Sequence, residues 1–198
     1  MNKILIGLIC TISLAACKTK KKKDTEATQF FPVLSFLKGQ AKHIDTSLYR
    51  IVKIETIDST STTTYIKREE FSKYAQDFLE LPDISSDKWK DDYEETRMFD
   101  GELNNVILTY TTTDEDNKIR REDVMLEPNN AGTNSEVKNV IINTLQPGKD
   151  STVEKNMVWY VNKRFTVITK VQWANQPEKI KKLEIIWNDF NDQTTVVE

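Results

Sequence analysis

A nucleophile with its base, a metal-ligand set or a phosphate-cradling loop would each show in residue types and spacing. The chain offers little of any of them. Its one histidine is His43, next to Ile44, and its only cysteines are Cys10 and Cys17. Zinc sites of the usual composition therefore lack ligands, and a lone histidine without a positioned nucleophile reads as structural or exposed rather than as a catalytic base. Five glycines occur, none in a GxGxxG or GxxxxGK arrangement, so phosphate loops of those kinds are missing. Carboxylates are plentiful. Asp91, Asp92, Glu94 and Glu95 cluster, as do Asp114, Glu115 and Asp116. A glycosidase-type pair needs one partner with a raised pKa, which burial or mutual repulsion provides. Both clusters fall where turns are expected and read as solvated. Asp114-Glu115-Asp116-Asn117 lacks the glycine and the distal glutamate of an EF-hand loop. The expectation is no catalytic residue, no metal and no cofactor, with a carboxylate-dependent hydrolase as the remaining enzymatic reading.

The first segment, MNKILIGLICTISLAAC, calls for different chemistry. Lys3 supplies a positive charge and Ile4 to Ala16 form an apolar run of thirteen residues. That is shorter than the ~20 residues of a spanning helix and fits the apolar region of a secretory signal, with Ala15 and Ala16 as small residues before a cut. Leu14-Ala15-Ala16-Cys17 resembles the lipobox of Gram-negative bacterial lipoproteins. The resemblance implies cleavage before Cys17, diacylation of its thiol, and acylation of the new amino group by a chain of the palmitate kind. Residues 1–16 are then the signal peptide. Two or three acyl chains anchor a folded domain firmly, at about 0.8 kcal/mol per buried methylene. Cys10 leaves with the signal and Cys17 carries lipid, so the mature chain has no disulfide and depends on core packing alone.

Residues 17–29 read as a lipidated tether. Lys18, Lys20, Lys21, Lys22 and Lys23 follow the cysteine almost without interruption. Such a block is a solvated spacer that also contacts anionic head groups, at about 1 kcal/mol per lysine near the surface. From Asp24 onward the chain carries 22 basic against 31 acidic residues, so the folded part is acidic although the whole chain has a net charge of only -3. This argues against nucleic acid as a partner. Lys18 stands where an aspartate would imply inner-membrane retention in enterobacterial lipoproteins, so the resemblance implies the outer membrane, with the domain facing the periplasm.

Positioning of any site falls to residues 30–198, expected as one α+β domain: two N-terminal helices packed on a long curved antiparallel sheet of about seven to nine strands. Phe30, Leu34, Leu37, Ala41 and Ile44 have helical spacing. Phe71, Tyr74, Ala75, Phe78 and Leu79 make one apolar face of a helix over Lys67–Glu80. Between them, Ser47–Ile57 and Thr62–Ile66 read as a hairpin. Beyond residue 90 come strands at Tyr93–Phe99, Asn105–Thr112, Lys118–Leu126, Val137–Leu145, Met157–Val161, Arg164–Trp173 and Lys181–Trp187. Turn residues such as Asp100-Gly101, Pro147-Gly148 and Asn162-Lys163 separate them. Alternation along Phe165, Val167, Val171 and Trp173 indicates a sheet with one wet face.

Trp159, Tyr160, Phe165, Trp173 and Trp187 gather in the last three strands. They either fill the core or line a concave face for an acyl chain or sugar. Two functions follow. The first is a non-catalytic binding or scaffold module for another envelope protein, with exposed sheet edges able to receive a partner strand. The second is a periplasmic carrier of a lipid or other hydrophobic ligand, analogous in outline to half-barrel lipoprotein carriers.

Overall fold

The structure is a computed structural model that describes residues 29–46, 48, 50–128 and 135–188. Cys17 and the lysines at 18, 20, 21, 22 and 23 lie outside the described residues. Nine strands form a single antiparallel sheet: β1 (Ile51–Ile57), β2 (Thr60–Ile66), β3 (Glu94–Asp100), β4 (Asn105–Thr111), β5 (Ile119–Pro128), β6 (Ser135–Pro147), β7 (Ser151–Tyr160), β8 (Arg164–Trp173) and β9 (Lys179–Ile186). The spatial order is β2-β1-β9-β8-β7-β6-β5-β4-β3. Strands β3 to β9 are thus a plain meander, each paired with the next. The hairpin β1–β2 returns from the other end of the chain and pairs with β9, Val52 opposite Ile186 and Glu55 opposite Leu183.

Turn chemistry explains where the strands stop. Asp58, Asn104, Asn162 and Asn175 all take positive φ, between 49° and 60°. Short amide and carboxylate side chains tolerate that left-handed region better than other non-glycine residues do. Asp58 and Ser59 alone connect β1 to β2. In β5 the register shifts between Ile119 and Arg121 and again between Met125 and Leu126. The first shift carries Ile119, Glu122 and Val124 onto one face, although their numbers differ in parity.

The molecule is sheet-dominated, and its helices are short. The helix expected from Phe30 is α1 (Val33–Thr46), starting one residue beyond Pro32. Its Val33, Leu37, Ala41 and Ile44 are all buried. The continuous helix expected over Lys67–Glu80 is instead a 3-10 turn at Arg68–Glu70, then α2 (Phe71–Tyr74) and α3 (Gln76–Leu79). The break is at Ala75, with φ -86° and ψ 0°, and the N–H of Phe78 bonds back to the Ala75 carbonyl at 2.9 Å. The tighter turn keeps Phe71, Ala75 and Phe78 fully buried together. The β1–β2 hairpin separates α1 from α2 and α3 in the chain, in the order the sequence implies.

One apolar cluster joins the buried faces of α1, α2 and α3 to Leu108 and Tyr110 of β4, Val124 of β5, Ile142 of β6, Trp159 of β7, Phe165 of β8 and Ile185 of β9. These helices cover one face of the sheet, the inner face. Tyr110 ties the entry of α1 to the sheet: its hydroxyl accepts the Phe31 N–H at 2.9 Å, and the Phe30 ring lies 4.7 Å from its own.

Candidate functional site

The five aromatic candidates do not form one ligand face. Trp159, Phe165 and Trp187 are together and closed over, each no more than 1% exposed. Trp159 pairs directly with Phe165 across β7 and β8, their rings stacked at 5.3 Å and 21°. Phe71 meets Trp187 edge-on at 5.4 Å, and Phe78 meets Trp159 edge-on at 5.3 Å. These offset and T-shaped geometries satisfy the ring quadrupoles, contributing about 0.5–1.5 kcal/mol per pair beyond area burial. Tyr160, one residue beyond Trp159, projects from the outer face under the Arg164 guanidinium, 4.9 Å from its ring. Trp173 has inner-face parity but stands eight residues along β8 from Phe165, half-buried, with the Lys179 ammonium 5.3 Å from its ring. A concave aromatic surface made of all five is therefore corrected to an aromatic core of three, with Tyr160 and Trp173 apart from it.

The carboxylate clusters are also placed. Asp91, Asp92 and Glu94 are exposed, and Glu95 is ion-paired with Arg97. Asp114 closes an Asx turn, accepting the Asp116 N–H at 2.9 Å. His43 is exposed on α1. Among the described residues no group of three or more histidine, cysteine, aspartate or glutamate side chains is arranged to hold a metal ion.

The carboxylate that sequence reading passed over is Glu122. It lies on the inner face of β5, opposite Tyr110 of β4 and Ile142 of β6, and is 3% exposed. Its Oε1 is buried without a hydrogen-bond partner. Burial, then the nearby negative charges of Asp83 and Asp123, push its carboxyl up to about 8. Beside it is a cavity of about 10 Å³ walled by Leu37, Phe78, Leu81, Asp83 and Ile142, room for a single water. Two neutral phenols are near: Tyr93, whose hydroxyl donates to the Ile119 carbonyl at 2.9 Å, and Tyr110, both pushed up to about 12 mainly by burial. The signal in the sequence was a glutamate two residues before Val124 and four before Leu126, at the spacing of one strand face.

A second recess is a cleft of about 330 Å³ between α2–α3 and strands β7–β9. Val167 and Leu183 form the apolar end of its floor, Lys155, Thr169 and Lys181 the polar row beside them, and Lys73, Tyr74, Gln76 and Asp77 the helical wall. Asp77 is ion-paired with Lys155, and Glu55 with Lys181. The Lys181 contact holds the Glu55 carboxyl below its ordinary range.

The outer face is a mesh of polar side chains. Asp123 accepts from Thr109 at 2.5 Å and Arg121 at 2.7 Å, and Glu184 accepts from Arg164 at 2.9 Å. Asn143 donates to Asn156, which donates to Glu154. Both sheet edges, β2 and β3, lack a neighbouring strand among the described residues. Met98, Phe99 and Leu103, at the β3 edge and its turn, are each more than half exposed. No protein-family model, curated protein or solved structure matches the chain.

Proposed function

We propose that the chain is a lipid-anchored protein of the bacterial outer membrane whose folded part faces the periplasm and acts as a non-catalytic binding or scaffold module for another envelope protein. The anchor rests on the lipobox resemblance at Leu14-Ala15-Ala16-Cys17 and the lysine-rich segment after it. The observation that carries the choice of module over carrier is the filled inner face. Phe71, Phe78, Trp159, Phe165 and Trp187 occupy the space that an acyl chain would need, and the cavity at Glu122 has room for no more than a single water. The same reading takes the sheet as curved around this plug with the helices as its cover, since strand twist rolls long sheets. The β3 edge supports a protein partner: its N–H and C=O groups are open to strand addition, and Met98, Phe99 and Leu103 add exposed apolar side chains there. No described helix is long and apolar enough to cross a membrane.

Two measurements test this. Native mass spectrometry of residues 24–198, before and after organic extraction, is expected to give the bare polypeptide mass. A released lipid would move the assignment to the carrier. In cells, photo-crosslinkers at Thr96 and Met98 of β3 are expected to trap one discrete envelope protein, while crosslinkers at exposed Lys118 trap none. Equal, diffuse labelling from both positions would remove the edge as the docking surface.

A further inference from the structure

We propose that the cleft between α2–α3 and β7–β9 binds a phosphate group carried on a ligand of roughly sugar size. The site is set by strand register. Lys155 of β7 stands opposite Thr169 of β8, and Thr169 opposite Lys181 of β9, so ammonium, hydroxyl and ammonium lie in one row on the inner face. Neighbouring strands are about 4.8 Å apart, which puts the two lysines on either side of Thr169 within reach of one anion. Lys73, Tyr74 and Gln76 bring further donors from the helical wall.

The charge distribution favours an anion. From Asp24 onward acids outnumber bases 31 to 22, yet here Lys73, Lys155 and Lys181 meet two carboxylates, Asp77 in the lining and Glu55 beside Lys181. Asp77 and Glu55 hold Lys155 and Lys181 in place. Each ammonium has three donors, so one ion pair leaves others for a ligand.

The donor types narrow the class. No arginine lines the cleft. Lysine binds phosphate as a point charge, and hydroxyl and amide donors beside separate ammoniums add hydrogen bonds to its tetrahedral oxygens. The cleft's ~330 Å³ is at the lower end of small-ligand sites, larger than bare phosphate needs and too small for an acyl chain. Val167 and Leu183 offer a short apolar floor for the C–H face of a sugar or glycerol. A soluble sugar phosphate and a phospholipid head group share this chemistry. The inference goes beyond the scaffold reading and stands whether or not the chain is lipid-anchored.

The test uses the full chain with two probes: a hexose 6-phosphate, and vesicles of phosphatidylglycerol in phosphatidylcholine. The parent hexose and pure phosphatidylcholine vesicles are the controls. Saturable binding to one phosphorylated probe is expected, weakened about tenfold by Lys73→Gln, the loss of one charged hydrogen bond. Lys73 is exposed, so this variant keeps the wild-type unfolding midpoint. The triple variant Lys73→Gln, Lys155→Gln, Lys181→Gln is expected to lose binding with an unchanged far-ultraviolet dichroism spectrum. A response to the sugar phosphate assigns a soluble ligand, and a cleft-dependent response to the vesicles assigns a head group. The proposal is overturned if neither probe binds at about 10 mM. It is also overturned if vesicle binding survives the triple variant in full, as attraction through Lys18 to Lys23 alone would give.

Discussion

At the residue scale the decisive side chain is Glu122. A carboxyl pushed up to about 8 by burial is neutral at pH 6, and it must either ionise unpartnered or unfold the segment above it in alkali. The sign follows from linkage. The folded state holds this proton more tightly than the unfolded state, whose pKa is near 4.5, so Glu122 carries no penalty below that value. The penalty grows as pH rises between 4.5 and about 8 and is complete above it. Urea denaturation is expected to show wild type losing stability between about pH 6 and pH 9 by a few kcal/mol, while Glu122→Gln loses much less over the same interval. Parallel pH profiles for the two proteins would rule out Glu122 as the source. A second residue-scale outcome concerns Phe78. Its ring packs edge-on against both Trp159 and Phe165, so Phe78→Ala is expected to cost about 3–5 kcal/mol in a denaturant titration. A cost below that of an ordinary surface substitution would contradict the closed aromatic core.

At the scale of elements, β1 is the piece on which the sheet's completion depends. It hydrogen-bonds to β2 on one side and β9 on the other. A proline there removes a ladder bond that no solvent-facing side replaces, leaving a partner carbonyl unpaired at a cost of about 1–3 kcal/mol. Ile54→Pro is expected to strip hydrogen-exchange protection from β1, β2 and β9 together. Protection retained throughout β9 would show that β8 alone suffices to hold it. The broken helix is a further case at this scale. The spacing of Phe71, Tyr74, Ala75, Phe78 and Leu79 identifies the apolar face correctly, and all five belong to or pack against the core. Periodicity fixes which residues face inward but not the hydrogen bonds between them, and the turn at Ala75 tightens to meet the rings beneath.

For the whole molecule, the chain's two ends are sewn together by the β1–β9 ladder and by Phe71 against Trp187. A fragment of residues 90–188 keeps the meander but lacks β1, Phe71 and Phe78. It is expected to lose the near-ultraviolet dichroism of the buried tryptophans and to bind a dye for exposed apolar surface, because an uncovered aromatic face and a bare β9 edge remain. A native-like near-ultraviolet spectrum from the fragment would mean the helices are dispensable. Cys17→Ser tests the proposed anchor at the same scale: loss of metabolically incorporated palmitate label from the chain is expected, and label retained by the variant would count against lipidation at Cys17.

Local chemistry in the sequence determined much of the sheet. Alternation along Phe165 and Val167 marked residues that do share the inner face, opposite Ile185 and Leu183, and asparagine marked a turn at Asn162 that does take positive φ. The antiparallel meander from β3 to β9 follows, because a short connection returns each strand beside the one before it. Only the tertiary structure decided that β1 closes on β9, that Tyr160 and Trp173 leave the aromatic group, that Glu122 is buried, and that Lys155, Thr169 and Lys181 align. Each of these depends on partners far apart in the chain. A period of two says which side chains share a face, while the other elements decide whether that face is covered and what meets there.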